Sequence, residues 1–175
     1  MQKIIILIFL VLTFICSCSE TNKTASDWLE KEKALWDGKQ YNDPKKAIKY
    51  LNNAIKLEPN NAETYTKRGA AYINLGQYQQ AIDDFNKAIG LKKDYPSTYN
   101  NRGAAYYSLG QYQQAIDDFN KAIQLKPDSA DAYSTRGTAY LLRGNKELGC
   151  PDAKKACALG NCKSLEFAKA NGYCR

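Results

Sequence analysis

The stretch LGQYQQAIDDFNKAI runs from Leu75 to Ile89, and the same fifteen residues recur from Leu109 to Ile123. The offset between the copies is 34 residues, and other positions keep the same period. Tyr65, Tyr99 and Tyr133 follow it, as do Arg68-Gly69, Arg102-Gly103 and Arg136-Gly137. So do Tyr72, Tyr106 and Tyr140, and Gly76, Gly110 and Gly144. A fixed period of this length signals stacked supersecondary units. Inside the block, Ala81, Ile82, Phe85, Ala88 and Ile89 are spaced as the apolar stripe of a helix. Gly76 and Gly110 mark the turn before that helix, and Pro59 and Pro127 mark helix ends. Each unit therefore predicts two helices, A over about positions 2–14 and B over about positions 18–31.

Period and residues together resemble the tetratricopeptide repeat (TPR). That pattern has an aromatic, a Gly four residues later, a second aromatic, then Ala-x3-Phe, Ala and a late Pro. Tyr65, Gly69, Tyr72, Ala81, Phe85 and Ala88 match it, as do Tyr99, Gly103, Tyr106, Ala115, Phe119, Ala122 and Pro127. The resemblance implies an all-α fold, an α-α superhelix or TPR solenoid of helix-turn-helix repeats with a C-terminal capping helix. The units read as a divergent repeat at 25–61, repeats at 62–95 and 96–129, a divergent repeat at 130–161, and a capping helix at 162–175. In the first unit Asn42-Asp43-Pro44 is inserted, with Asp43 placed as N-cap and Pro44 as the first helical residue. Glu32 replaces the usual Gly there, which predicts looser A–B packing. In the last full unit Gly149 and Ala153 replace Ala and Phe, so its helix B needs outside support.

With 175 residues, 44% hydrophobic and 25% charged, the chain has the composition of a folded protein. It has no His, which removes Ser-His-Asp and Cys-His catalysis and any His-ligated zinc. No catalytic residue, cofactor or metal site is expected. The +7 formal charge is scattered rather than blocked, which argues against nucleic acid as a partner.

The N-terminal segment has one charge, Lys3, followed by an apolar run from Ile4 to Ile15 interrupted by Thr13. That run is too short to span a bilayer and has the layout of a signal peptide over residues 1–17. Ile15-Cys16-Ser17-Cys18 resembles the lipobox of bacterial lipoproteins, which implies cleavage before Cys18 and acylation of its thiol and amine. Two or three acyl chains, at ~0.8 kcal/mol per buried CH₂, would anchor the chain permanently. An ordinary signal peptide with a free or bridged Cys18 is the alternative. Ser19 after the lipobox resembles the outer-membrane sorting default, facing the periplasm, and residues 18–24 read as a tether. Removing Lys3 lowers the charge from +7 to +6.

Cys150, Cys157, Cys162 and Cys174 then remain, an even number in an oxidising compartment. Cys150-Pro151-Asp152 reads as the start of the last helix B, Gly160 as its end, and 162–170 as a final helix. Cys150 and Cys157 lie about 10 Å apart along one helix, too far for a bond. Two connectivities stay open. An antiparallel hairpin favours Cys157 with Cys162 and Cys150 with Cys174. A four-cysteine zinc site is the rival, and its spacings do not resemble the usual close pairs. The stretch from Lys155 to Cys162 also resembles the disulfide-linked helices of Sel-like repeat proteins.

In TPR proteins helix A lines a concave groove. Units 62–95 and 96–129 differ at nine of 34 positions, and five differences fall at groove positions. These are Glu63/Ser97, Thr66/Asn100, Lys67/Asn101, Ile73/Tyr107 and Asn74/Ser108. Gln79, Gln80, Asp83, Asp84, Asn86 and Lys87, read as the exposed face of helix B, do not differ. The contrast favours a recognising groove lined by Lys67, Asn74, Asn100, Asn101, Tyr107, Ser134, Thr135 and Thr138. Such a lining suits an extended peptide or a protein loop. The carboxylate clamp of chaperone-binding TPRs is not reproduced, because Asn101 alone fits it. Arg68, Arg102 and Arg136 sit beside the A–B crossing and read as structural. The expected role is a protein-interaction scaffold tethered to the cell envelope. The alternatives are a self-assembling envelope protein and, by resemblance to Sel-like proteins, a cell-wall-acting enzyme.

Overall fold

Nine helices form among the residues that the computed structural model describes, 23–174. They are α1 (Ala25–Lys33), α2 (Pro44–Leu57), α3 (Ala62–Asn74), α4 (Tyr78–Leu91) and α5 (Pro96–Ser108), then α6 (Tyr112–Leu125), α7 (Ala130–Leu142), α8 (Lys146–Ala158) and α9 (Lys163–Ala170). The apolar segment, Cys16 and Cys18 lie outside the described residues. None of the described helices is long and apolar enough to cross a membrane.

Local chemistry sets the helix boundaries. Asp43 and Asn61 cap α2 and α3, their Oδ1 atoms accepting from the N–H of Lys46 at 3.0 Å and Thr64 at 3.2 Å. Thr24 and Asp27 form a reciprocal capping box at α1. Gly110 ends the α5–α6 turn at φ +74°, a conformation that favours glycine.

Consecutive helices pair as hairpins, α1 with α2 through α7 with α8, and the hairpins stack into an all-α TPR superhelix. α3 packs on α5 and α5 on α7, whereas no comparable packing joins successive B helices. The A helices therefore lie on the inside of the curve. Phe85 and Phe119 are fully buried at the A–B crossings. A Cβ on Gly69 would stand 2.5 Å from the Phe85 ring, and one on Gly103 would stand 2.9 Å from Phe119. Glycine is required there by close approach.

One arginine in each of the last three repeats fastens three helices. Arg102 on α5 donates through Nε and Nη2 to Asp118 of α6, at 2.8 and 2.6 Å. Its Nη1 donates to Asn86 of α4 at 2.6 Å. Arg68 repeats this with Asp84 and Asn52, and Arg136 with Asp152 and Asn120. Asp84 and Asp118 are only 6% and 5% exposed. Asp84 therefore does not belong to a solvent-facing surface, contrary to the sequence reading, and Asn86 is committed to Arg102. Their identity between repeats reflects this bonding, which leaves Gln79, Gln80, Asp83 and Lys87 as the undiverged outer face.

The ends depart from the repeat in different ways. α1 stops at Lys33, about one turn short of the expected helix A. Asp37 Oδ1 accepts from the N–H groups of Lys39 and Gln40 at 2.8 Å, and Trp36 pairs antiparallel with Tyr41. That Asx turn ends the helix. At the other end α8 begins at Lys146, four residues before the expected Cys150, because Asn145 caps it through the N–H of Leu148. Pro151 lies inside α8, where it removes one helical hydrogen bond at a solvent-exposed position. Gly149 lets α7 and α8 close up: a Cβ there would stand 2.6 Å from Leu141 and 2.9 Å from the Gly137 carbonyl. α9 packs on both helices, and disulfides join Cys150 to Cys174 and Cys157 to Cys162. All four sulfurs are thereby committed.

Burial pushes the Asp118 carboxyl up from its usual range, against the opposing pull of Arg102. The pair is thus costly to desolvate, and breaking it strands a half-buried charge. Asp118→Ala is expected to lower stability in urea unfolding by about 3–5 kcal/mol. Lys87→Ala, on the outer face, is expected to stay within about 0.5 kcal/mol.

Candidate functional site

The eight groove residues selected from the sequence lie on A helices, in unequal roles. Lys67 is half-buried and its Nζ lies 3.1 Å from Glu32 Oε2 and 3.5 Å from Glu63 Oε1. Asn74 Oδ1 accepts from the Tyr41 N–H at 2.9 Å and so holds the α1–α2 loop. The Thr135 and Thr138 hydroxyls donate to the carbonyls of Asp131 and Ser134, both at 3.0 Å. Ser134 is buried at 7% exposure. Asn100 Oδ1 is enclosed and has no hydrogen-bond partner among the described residues. Tyr107 is half-buried against the core of its unit, with its ring 5.5 Å from that of Tyr112.

Successive A helices also touch through hydroxyls. Thr66 and Thr98 share a 2.8 Å hydrogen bond, and the Thr66 hydroxyl donates to the Ala62 carbonyl of its own turn at 3.0 Å. The bond fixes α3 against α5 and shapes the groove floor.

The N-terminal end of the groove opens into a cavity of about 420 Å³. Its walls include Glu32, Trp36, Tyr41, Lys67, Ala70 and Asn101. Glu32 replaces the repeat's glycine, and α1 and α2 pack less closely than the later hairpins, yet Glu32 itself is enclosed. The residue is 1% exposed, and its carboxylate accepts from the Tyr41 hydroxyl and the Lys67 ammonium. The site opposite, filled by Phe in the next two units, holds the smaller Leu51, also fully buried. A polar network thus occupies the space that an aromatic ring takes elsewhere.

Trp36 was not among the groove residues selected from the sequence. It aligns with Ile73 and Tyr107, a helix A position, but the early end of α1 leaves it in a loop, 41% exposed. Its ring meets Tyr41 edge-on at 4.9 Å. The signal that could have found it is register, since Trp36 stands where Ile73 and Tyr107 stand in the next two units. Trp36 supplies apolar contact area, Asn101 supplies a polar contact, and Glu63 supplies an exposed carboxylate. Together they suit a side chain and its flanking backbone. Among the described residues no group of three or more Cys, Asp or Glu side chains is placed to hold a metal.

Burial, and then the Glu32 carboxylate, push the Tyr41 hydroxyl well above the usual tyrosine value. The folded state therefore holds this proton more tightly than the unfolded chain does. The resulting stability is complete below the unfolded tyrosine value, about pH 10, and is lost as pH rises beyond it. In urea unfolding between pH 9 and 11, the wild type should lose stability more steeply than Tyr41→Phe, by up to ~1.4 kcal/mol per pH unit.

Comparison with known proteins places this geometry. Tetratricopeptide repeat family models match residues 96–129 and 50–83, and a TPR repeat model matches residues 71–110. No curated protein matches the sequence. Among solved structures, the chain is similar to a crystal structure of MamA, with 28% identity and a TM-score of 0.73. That match covers 91% of this chain and 86% of the other. It is similar to MamA 41-end from Desulfovibrio magneticus RS-1 at 26% identity and a TM-score of 0.70, covering 78% and 75%. It is also similar to the Arabidopsis OM64 TPR domain at 34% identity and a TM-score of 0.62, covering 66% of this chain and 93% of that one. The chain belongs to the tetratricopeptide repeat family.

Proposed function

We propose that this protein is a scaffold for protein–protein interaction, tethered to a membrane of the bacterial envelope through acylated Cys18. The TPR superhelix supports the scaffold role. The lipobox-like Ile15-Cys16-Ser17-Cys18 supports the anchor, and Ser19 favours the outer membrane with the fold facing the periplasm. The partner is an extended peptide or a protein loop, and the groove takes it without catalysis, cofactor or metal. The observation that carries this reading is the cavity of about 420 Å³ at the N-terminal end of the groove, with Trp36 exposed at its wall.

Trp36 and Asn101 are the clean probes of the groove. Lys67 is not, because removing it would strand the buried Glu32 carboxylate. Crosslinking and pull-down from native membranes should recover a specific partner with the wild type and lose it with Trp36→Ala/Asn101→Ala. Equal recovery from both would remove the groove from the interaction, and a product containing only this chain would favour self-assembly. For the anchor, metabolic labelling with palmitate should mark the wild type, and Cys18→Ser should abolish the label. A wild type that takes up no label would leave the chain without the anchor.

A further inference from the structure

The outer face of α2 differs in charge from those of α4 and α6. α2 carries Lys45, Lys46, Lys49 and Lys56, all solvent-exposed, and no acidic residue. At 3.6 residues per turn, Lys45, Lys49 and Lys56 fall within about 40° of one another. They lie opposite Ala47, Leu51 and Ala54, the residues that α2 buries. The equivalent positions are Gln79, Gln80, Asp83 and Gly90 on α4, and Gln113, Gln114, Asp117 and Gln124 on α6. None of the four lysines forms a salt bridge among the described residues, whereas Arg68, Arg102 and Arg136 are all paired. The inner groove and the packing of α2 use none of them.

We infer that this lysine face of α2 lies against an anionic phospholipid surface. The lysine face sits on the unit nearest the chain's N-terminus. Lys23 is five Cα–Cα steps from Cys18, at most about 17 Å of fully extended chain. The inference takes its geometry from the acylated Cys18 proposed above, since a short tether holds α1 and α2 close to the bilayer. Lysines are compact point charges that suit a diffuse layer of phosphates, whereas planar bidentate recognition of one phosphate would call for Arg. The one aromatic residue of α2, Tyr50, is half-buried against Trp28 and not presented for bases to stack on, which disfavours nucleic acid. Docking by α2 would hold the superhelix by one end and leave the groove open.

The test uses the full chain on vesicles of phosphatidylcholine alone or with added phosphatidylglycerol. Flotation is scored first, and exposed lysines are then acetylated and read by mass spectrometry. Lys45, Lys46, Lys49 and Lys56 should react about tenfold more slowly on anionic vesicles, and 0.5 M salt should restore their rate. Lys87 and Lys121 on later B helices should not change. The variant Lys45→Gln/Lys46→Gln/Lys49→Asp/Lys56→Gln gives α2 the residues that α6 already carries, so its fold is preserved. It should float with anionic vesicles no better than with neutral ones. Flotation of the wild type with anionic vesicles alone would support the face while removing the anchor. Equal reactivity on both vesicle types, equal protection of Lys87 and Lys121, or stronger protection by duplex DNA than by vesicles would overturn the inference.

Discussion

The solenoid depends on a guanidinium that reaches three helices at once. Arg102 holds Asp118 in its own hairpin and Asn86 in the one before, and Arg68 and Arg136 do the same one period away. Apolar packing alone would let hairpins slide over one another, because Ala, Ile and Phe make contacts that are not directional. The planar fork matches a carboxylate in one orientation and fixes the register of the stack. Desolvation opposes the attraction, so the pair contributes more to geometry than to net stability.

The two ends solve a problem that the middle does not have. A terminal hairpin presents a face with no neighbour. At the N-terminus, Glu32, Tyr41 and Lys67 fill the crossing with a hydrogen-bonded network, and Trp36 covers the loop. At the C-terminus, α7 and α8 close up over Gly137 and Gly149, and α9 is sewn on by two disulfides. The polar network leaves a cavity in the groove, whereas the cross-linked end leaves α9 packed on α7. The cavity is therefore at one end of a superhelix whose middle is nearly uniform.

Most of the fold was legible because it is periodic. The 34-residue spacing of Tyr65, Gly69 and Phe85 fixes two helices and their crossing without any knowledge of tertiary structure. The boundaries of α1 and α8 were not legible, since they depend on Asp37 and Asn145 side chains competing locally for backbone N–H groups. The groove was legible as a face but not as a set of free residues. Asn74, Lys67, Thr135 and Thr138 look alike in a list of polar positions, and only geometry shows their bonds within the protein. The stillness of Asp84 and Asn86 between repeats was open to two readings, and the sixteen-residue spacing to Arg68 and Arg102 was the sign that pointed to bonding.

The arginine fork also makes the middle of the chain modular. Asn52, Arg68 and Asp84 are succeeded one period later by Asn86, Arg102 and Asp118, so each junction presents the same partners to the next. A gene that gained or lost one 34-residue copy would still encode a chain in which every fork found its carboxylate and its amide. The groove would lengthen or shorten by one helix, and both specialised ends would be untouched. Repeat number is thus a quantity that recombination can change without redesigning the protein, and the near-identity of 62–95 and 96–129 has the form such an exchange leaves behind.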